Sequence, residues 1–397
     1  MKRKLGGYME NLGPSVPSAS RPIGVYVHFP WCLRKCPYCD FTSFEATREA
    51  IDHEGYADAV LRELSLRDPG CRKPRSLYFG GGTPSLWEPR ALGRIIAAVA
   101  EGDCEITVEC NPSSFDRARA QELRAVGVNR VSIGVQGLDA GRLSFLGRLH
   151  DGPGALAAVD AALEADFPRV SADLIYGVQQ ERAEEAALEA QRLAATGVGH
   201  ISAYALTIEP ATRFGELHRQ GRLPLVREDV VVDSFLAVRE ALEGAGFSHY
   251  EISSFARPEQ ESRHNLGYWR GDDYLGLGCA AWGTLSRSDG TAYRYRNPPV
   301  PSRYLEQIQS GRLAAHETEE LDPETRLRER LMLGLRTRDG VDLEHAAHEL
   351  GVEPWPARRR REVTQLLESG RLLQIGTRLQ VPAHAWIFAD GIAASLF

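Results

Sequence analysis

Between residues 23 and 245 the chain alternates, six times in succession, a short apolar run with a longer amphipathic one, and few architectures accept that pattern. The short runs, Ile23–His28, Ser76–Phe79, Glu105–Glu109, Arg130–Val135, Val170–Ile175 and His200–Ala205, have the length and β-branched content of strands. The runs that follow them, near 46–66, 87–100, 116–125, 154–165, 182–195 and 229–245, repeat apolar residues at helical spacing. A helix between two strands returns the chain to the same sheet in parallel, with the helix outside it. The pattern predicts an α/β core, short of the eight units that close a full barrel.

In such a sheet ligands gather at the carboxyl ends of the strands. The first strand runs into Cys32, Cys36 and Cys39, three cysteines within eight residues. Three thiolates on one short loop can hold three corners of an iron–sulfur cube and leave the fourth iron open to a small molecule. The same residues also admit a zinc site, which wants a fourth ligand from elsewhere, or three unrelated buried thiols. The second strand ends in Gly80-Gly81-Gly82-Thr83-Pro84, whose bare backbone lets a ligand approach closely. Glu109 ends the third strand, Gln136 follows the fourth, and Asp173 lies in the fifth. Polar groups converging from successive strand ends describe one shared pocket.

Composition narrows the setting. Seven cysteines in 397 residues, three of them too close together for a disulfide framework, favour a reducing, cytoplasmic location. No run of about 18 apolar residues occurs, so no transmembrane segment is expected. Residues 1–20 read as a flexible tail, and the net charge of −7 argues against a general affinity for nucleic acid.

The spacing Cys-x3-Cys-x2-Cys, with Tyr38 beside the last cysteine, resembles the cluster loop of the radical S-adenosylmethionine (SAM) superfamily. Tyr26-x-His28-x-Pro30-x-Cys32, Gly80 to Pro84, Gly134-Val135-Gln136, Arg148 and Asp173-Leu174-Ile175-Tyr176-Gly177 extend the likeness to the HemN/HemW branch of that superfamily. The resemblance implies a partial (β/α)6 TIM-like barrel over 21–245 and a 4Fe-4S cluster held by Cys32, Cys36 and Cys39. It further implies that Tyr26 and Tyr38 line a SAM site and that Gly81, Gly82 and Thr83 contact the methionine part. Glu109, Gln136, Arg148 and Asp173 would meet the polar groups of SAM, with Ala205 near the adenosine. Chemically, an arginine suits a carboxylate, and carboxylates accept from ribose hydroxyls or an ammonium.

Within the branch, the oxygen-independent coproporphyrinogen III oxidases carry a fourth cysteine where this chain has Phe41. The run Cys36-Pro37-Tyr38-Cys39-Asp40-Phe41 and the motif His264-Asn265-Leu266-Gly267-Tyr268-Trp269 look instead like the heme chaperones. That likeness implies heme as cargo, an acceptor protein for it and a one-electron donor for the cluster. His264 is then the candidate axial ligand, Tyr268 and Trp269 candidates for the porphyrin face, and Arg263, Arg270, Arg294 or Arg296 candidates for its propionates. The other reading of the motif is a turn with core aromatics. Two further functions remain open, a decarboxylating oxidase and a non-catalytic heme-binding protein with a structural or regulatory cluster.

Residues 246–320, which carry the His-Asn-x-x-Tyr-Trp motif, read as an extension of the core, and 321–397 as a separate unit. Asp322-Pro323-Glu324 is a helix start. Helical patterns over 325–335, 342–350 and 357–369 and the apolar segment Leu372 to Val381 resemble the small, mainly helical, winged-helix-like C-terminal domain of the branch. Arg358 to Arg361 are expected on a solvated helix face.

Overall fold

A computed structural model describes residues 23–67, 73–313 and 315–397, so the tail expected over 1–20 lies outside the described residues. Strands β1 (Ile23–Phe29), β2 (Pro74–Gly81), β3 (Glu105–Cys110), β4 (Arg130–Gln136), β5 (Arg169–Tyr176) and β6 (His200–Ala205) lie side by side in chain order, all parallel. After each strand in turn comes a helix: α1 (His53–Arg67), α2 (Pro89–Val99), α3 (Arg117–Ala125), α4 (Gly152–Glu164), α5 (Ala183–Ala194) and α6 (Glu228–Gly244). The local chemistry marks their starts. Asp116 and Asp151 accept the backbone N–H of Arg119 and Gly154 at 2.8 and 2.9 Å, tying down the first turns of α3 and α4. Short helices at Ala140–Phe145 and Arg213–Arg219 were not foreseen; neither is long enough for a helical period to show.

Alternation along the strands divides the two faces of the sheet. In β4, Val131, Ile133 and Val135 are fully buried in the apolar core, while Arg130, Ser132, Gly134 and Gln136 line a cavity on the other face. Burying such aliphatic side chains stabilises the fold by about 1.5–3 kcal/mol each. The cavity face is therefore free to be polar.

The sheet is wider than the sequence pattern foretold. Tyr274–Leu277 adds on the outer side of β1 as a further parallel strand. Trp282–Ser286, Ala292–Arg296 and Glu317–Leu321 extend that edge antiparallel, and Ser254–Ala256 and Ser248–Glu251 extend the edge beyond β6. Among the described residues this makes one open sheet of twelve strands whose central parallel part is a partial barrel. The segment Arg263–Trp269, α7, lies across the lower end of the barrel against β2.

Past Leu321 the chain builds a second core around Leu327, Leu331, Leu343, Leu366, Leu379 and Trp386. Helices Pro323–Gly334, Leu343–Leu350 and Ala357–Glu368 pack with a hairpin, Leu373–Ile375 and Arg378–Gln380, to which Val341–Asp342 adds a third strand. This helices-plus-wing arrangement is the one the sequence predicted. It is held to the barrel by His249 against Trp386, ring centroids 4.3 Å apart, and by Ile252 N–H donating to the Arg336 carbonyl at 2.9 Å. The arginine run needs correction. Arg358, Arg360 and Arg361 are exposed, but Arg359 is buried at 2 % and donates to the Leu396 carbonyl and to Glu324. A buried guanidinium needs such partners, and Glu324 and the chain end supply them. No helix among the described residues is long and apolar enough to cross a membrane.

Candidate cluster and cofactor site

The cysteine loop is pinned at several points. Trp31–Cys32 pairs with Phe44–Glu45, so the loop leaves and returns at one place. His28, buried at the end of β1, uses Nε2 toward the Thr42 carbonyl at 2.8 Å and Nδ1 toward the Tyr26 hydroxyl at 3.0 Å. A carbonyl only accepts, so Nε2 carries the proton and Nδ1 accepts from Tyr26. Burial pulls the His28 pKa down to about 4, which keeps it in that neutral form. Arg34 donates to the carbonyls of Gly147 and Arg148, and the Pro37 carbonyl accepts from Phe214 N–H at 2.8 Å. Gly147 has φ +70°, and a Cβ there would stand 2.6 Å from Pro37 Cδ.

The three thiols that result are half-exposed and free. Thr83 Oγ1 donates toward Cys32 Sγ at 3.4 Å, and Arg148 Nη1 toward Cys36 Sγ at 3.4 Å. Burial pushes Cys39 up to about 11 and raises Cys32 as well, so thiolates here call for a metal to compensate. Iron ionises a coordinating thiol outright, and hydroxyl and guanidinium donors then suit the anionic sulfur. A zinc ion asks for its ligands around one point; among the described residues no three His, Cys, Asp or Glu side chains come together in that way. The donor set, three thiols with an open side, fits an iron–sulfur cluster, whose thiolates hold separate irons.

Beneath the loop opens a cavity of about 360 Å³. Its wall includes Tyr38, Gly81, Gly82, Thr83, Glu109, Gln136, Arg148, Asp173 and Ala205 together with the three cysteines. A Cβ on Gly82 would lie 2.5 Å from the Trp31 carbonyl oxygen, so only glycine lets the end of β2 pass this close to the cysteine loop. Glu109 accepts from the Tyr78 hydroxyl at 2.9 Å and from Gly81 N–H at 3.1 Å, while burial pushes its pKa up to about 7. Asp173 accepts from Ser132 Oγ at 3.2 Å and is raised by burial to about 6. Gln136 sits at φ +64° where the register between β4 and β5 shifts, and this kink turns it to the cavity. Arg148 donates to the Gly134 carbonyl at 3.0 Å but keeps a buried Nε without a partner.

Tyr26 stands apart from this set. Its hydroxyl serves His28, its ring lies 6.2 Å from that of Tyr78, and it is absent from the cavity wall. The wall also contains residues the sequence reading passed over, among them Arg130, Ser132, Ser202, Tyr204 and Asn265. For Arg130 and Ser132 a signal existed: the strict polar–apolar alternation of β4 marks one polar face.

The motif around His264 lies below the cavity. His264 is 4 % exposed, with Nδ1 2.8 Å from Ser76 Oγ and Nε2 3.0 Å from the Tyr268 hydroxyl, and burial lowers its pKa to about 3. Its ring stacks on Tyr78 at 4.8 Å. Trp269 is half-buried. Of the four arginines considered for propionates, Arg263 pairs with Asp103, Arg294 with Glu319 and Glu329, and Arg296 with Glu317, whereas Arg270 is exposed. The structure thus gathers the cluster and SAM candidates other than Tyr26 around one cavity, and sets the heme candidates apart from it.

The fold and the cysteine loop define a radical SAM protein: the Radical SAM superfamily model matches residues 26–191 and the HemN C-terminal domain model residues 321–388. Heme chaperone HemW of Mycobacterium tuberculosis H37Rv is 32% identical over 96% of this chain and 96% of its own length. Heme chaperone HemW of Escherichia coli is 36% identical over 72% of this chain and 77% of its own. The mouse mitochondrial radical S-adenosyl methionine domain-containing protein 1 is 34% identical over 92% of this chain and 85% of its own. The chain belongs to the HemW family. Coproporphyrinogen III oxidase (HemN) from Escherichia coli shares the fold, with a TM-score of 0.80 at 22% identity over 96% of this chain and 91% of that one. Membership of the radical SAM superfamily implies SAM and a 4Fe-4S cluster as cofactors.

Proposed function

We propose that this protein binds heme and hands it to an acceptor protein, a reading supported by relatives that are named heme chaperone, and that its cysteine loop carries a SAM-binding 4Fe-4S cluster. The observation that carries the cofactor half of this reading is the pinned loop of three half-exposed thiols at the mouth of a polar cavity. Bound together, cluster and SAM supply one-electron, radical chemistry. The chain's own groups bind and orient. Arg148, whose Nη1 reaches toward Cys36 Sγ and whose Nε has no partner, is the group suited to hold a carboxylate. Asp173, raised to about 6, is ionised at neutral pH and accepts from hydroxyl or ammonium groups. Glu109, raised to about 7, sits near its midpoint and takes up or gives a proton as a ligand enters.

The oxidase reading is disfavoured by Phe41, a 58 % exposed side chain on the cavity wall where that activity's relatives carry a cysteine. His264 as heme ligand requires a rearrangement, since either Ser76 or Tyr268 must release its ring nitrogen first. A reducing, cytoplasmic setting suits the free thiols.

The test is anaerobic. Protein with a reconstituted cluster receives coproporphyrinogen III, SAM and dithionite, and a parallel sample is titrated with heme. Stoichiometric heme binding with no protoporphyrinogen IX supports the chaperone reading; decarboxylated product over many turnovers overturns it. SAM left uncleaved under dithionite would make the cluster structural or regulatory.

A further inference from the structure

Arg130 lies at the floor of the cavity, two residues below Ser132 on the polar face of β4. Only 2 % of it is exposed, and Glu109 and Asp173 both feel its charge, yet among the described residues its guanidinium makes no hydrogen bond or close ion pair, and its Nε is buried without a partner. That is an expensive arrangement. A buried guanidinium normally spends its N–H groups on acceptors, and unmet donors are retained where a ligand completes them. The neighbouring Thr107, opposite Arg130 in the β3–β4 register, also keeps a buried hydroxyl without a partner. Asn265, brought in by α7, presents its side chain to the same cavity.

We propose that the floor of the cavity is a subsite for a carboxylate group, held by the Arg130 fork with Asn265 beside it; this rests on reading the upper part of the cavity as the SAM site. The chemistry selects the class of anion. A planar guanidinium matches a carboxylate through two parallel N–H···O bonds. Glu109 and Asp173 line the same space and already share the Arg130 charge, so a dianion such as a phosphate is repelled about twice as strongly as a singly charged carboxylate. Two molecules bring carboxylates to this protein on the reading above, heme through its propionates and SAM through its methionine part. Arg148 and Thr83 already stand beside the cluster thiols, whereas the β3–β4 register sets Arg130 level with Thr107, two residues below Glu109 and Ser132. The floor is accordingly assigned to a propionate.

The experiment titrates the full cluster-loaded chain and its Arg130→Gln and Arg130→Lys variants with heme, with heme dimethyl ester and with SAM. Heme affinity is expected to fall about tenfold in Arg130→Gln, as loss of a charge-assisted pair implies, and to recover in part in Arg130→Lys. The diester should bind wild type more weakly than heme and be indifferent to the substitution. A loss on SAM with heme unaffected keeps the carboxylate subsite and reassigns its occupant. Wild-type affinities for both ligands in both variants would make Arg130 an internal counter-charge to Glu109 and Asp173 and overturn the proposal. If Arg130→Gln does not fold, Arg130→Lys and the wild-type comparison of heme with its diester decide, and equal binding of the two by wild type overturns it. Failure of wild type to bind SAM at all refutes the SAM reading and leaves the heme comparison to judge the floor.

Discussion

At the upper end of the parallel strands three thiols stand half-exposed and Arg148 keeps an unpartnered Nε. At the lower end, a few residues down the same strands, the polar groups close on one another. Glu105 accepts the backbone N–H groups of Arg263 and His264 and the Arg169 guanidinium, and His264 engages Ser76 and Tyr268. Both ends are polar and both are enclosed by the same sheet. The difference lies in spare bonding capacity: the upper end keeps donors and thiols for something that is not protein, and the lower end, apart from Arg130 and Thr107 at the cavity floor, spends them on holding α7 in place. A motif can therefore mark a family and still be a brace.

The comparison can be broken most sharply at the thiols. Cys36→Ala should abolish cluster loading, read as iron and sulfide content, with little change in Tm, because the apo loop is held by Arg34, His28 and Pro37 instead. Glu105→Ala should do the reverse. Removing a buried carboxylate that serves a guanidinium and two helix amides should cost about 3 kcal/mol or more in denaturant unfolding, while cluster loading per folded molecule persists. Gly82→Ala sits between them: its Cβ meets the Trp31 carbonyl, so about 1–3 kcal/mol of strain and a partial loss of bound iron are expected together.

Two further effects sharpen the contrast. Burial raises Glu109 from an ordinary value of 4.5 to about 7, so the folded state binds a proton that the unfolded state has released. Its contribution to stability is full below pH 4.5 and disappears as pH rises through 7. The Tm of the ligand-free protein should fall across that window, by the equivalent of about 3 kcal/mol, and Glu109→Gln should flatten the slope. His264→Ala should cost about 1–2 kcal/mol by stranding Ser76 and Tyr268. Its heme complex should keep the wild-type Soret band; a shifted band would make His264 a ligand and dissolve the distinction between brace and site.

What the sequence revealed follows from how far its signals reach. The six strand–helix units were readable because each carries its own period, and Cys32, Cys36 and Cys39 because a short loop keeps them together. Tyr274–Leu277 was not read as a parallel strand: four residues with a central glycine carry no clear period, and the neighbour that makes them a strand, β1, lies far back in the chain. Tyr204 and Asn265 reach the cavity only through tertiary folding, one from the end of β6 and one from a helix laid beneath it. Arg359 was misjudged because three neighbours in its run are exposed, and only the packing of Glu324 and the chain end shows the fourth turned inward.

The most direct test of the upper site as a cofactor site is the electron paramagnetic resonance spectrum of the dithionite-reduced cluster, recorded with and without SAM. SAM bound at an open iron changes that spectrum, and Arg148→Gln should weaken the change while leaving the cluster itself in place. A spectrum indifferent to saturating SAM would contradict the account, and the cavity beneath the three cysteines would need another occupant.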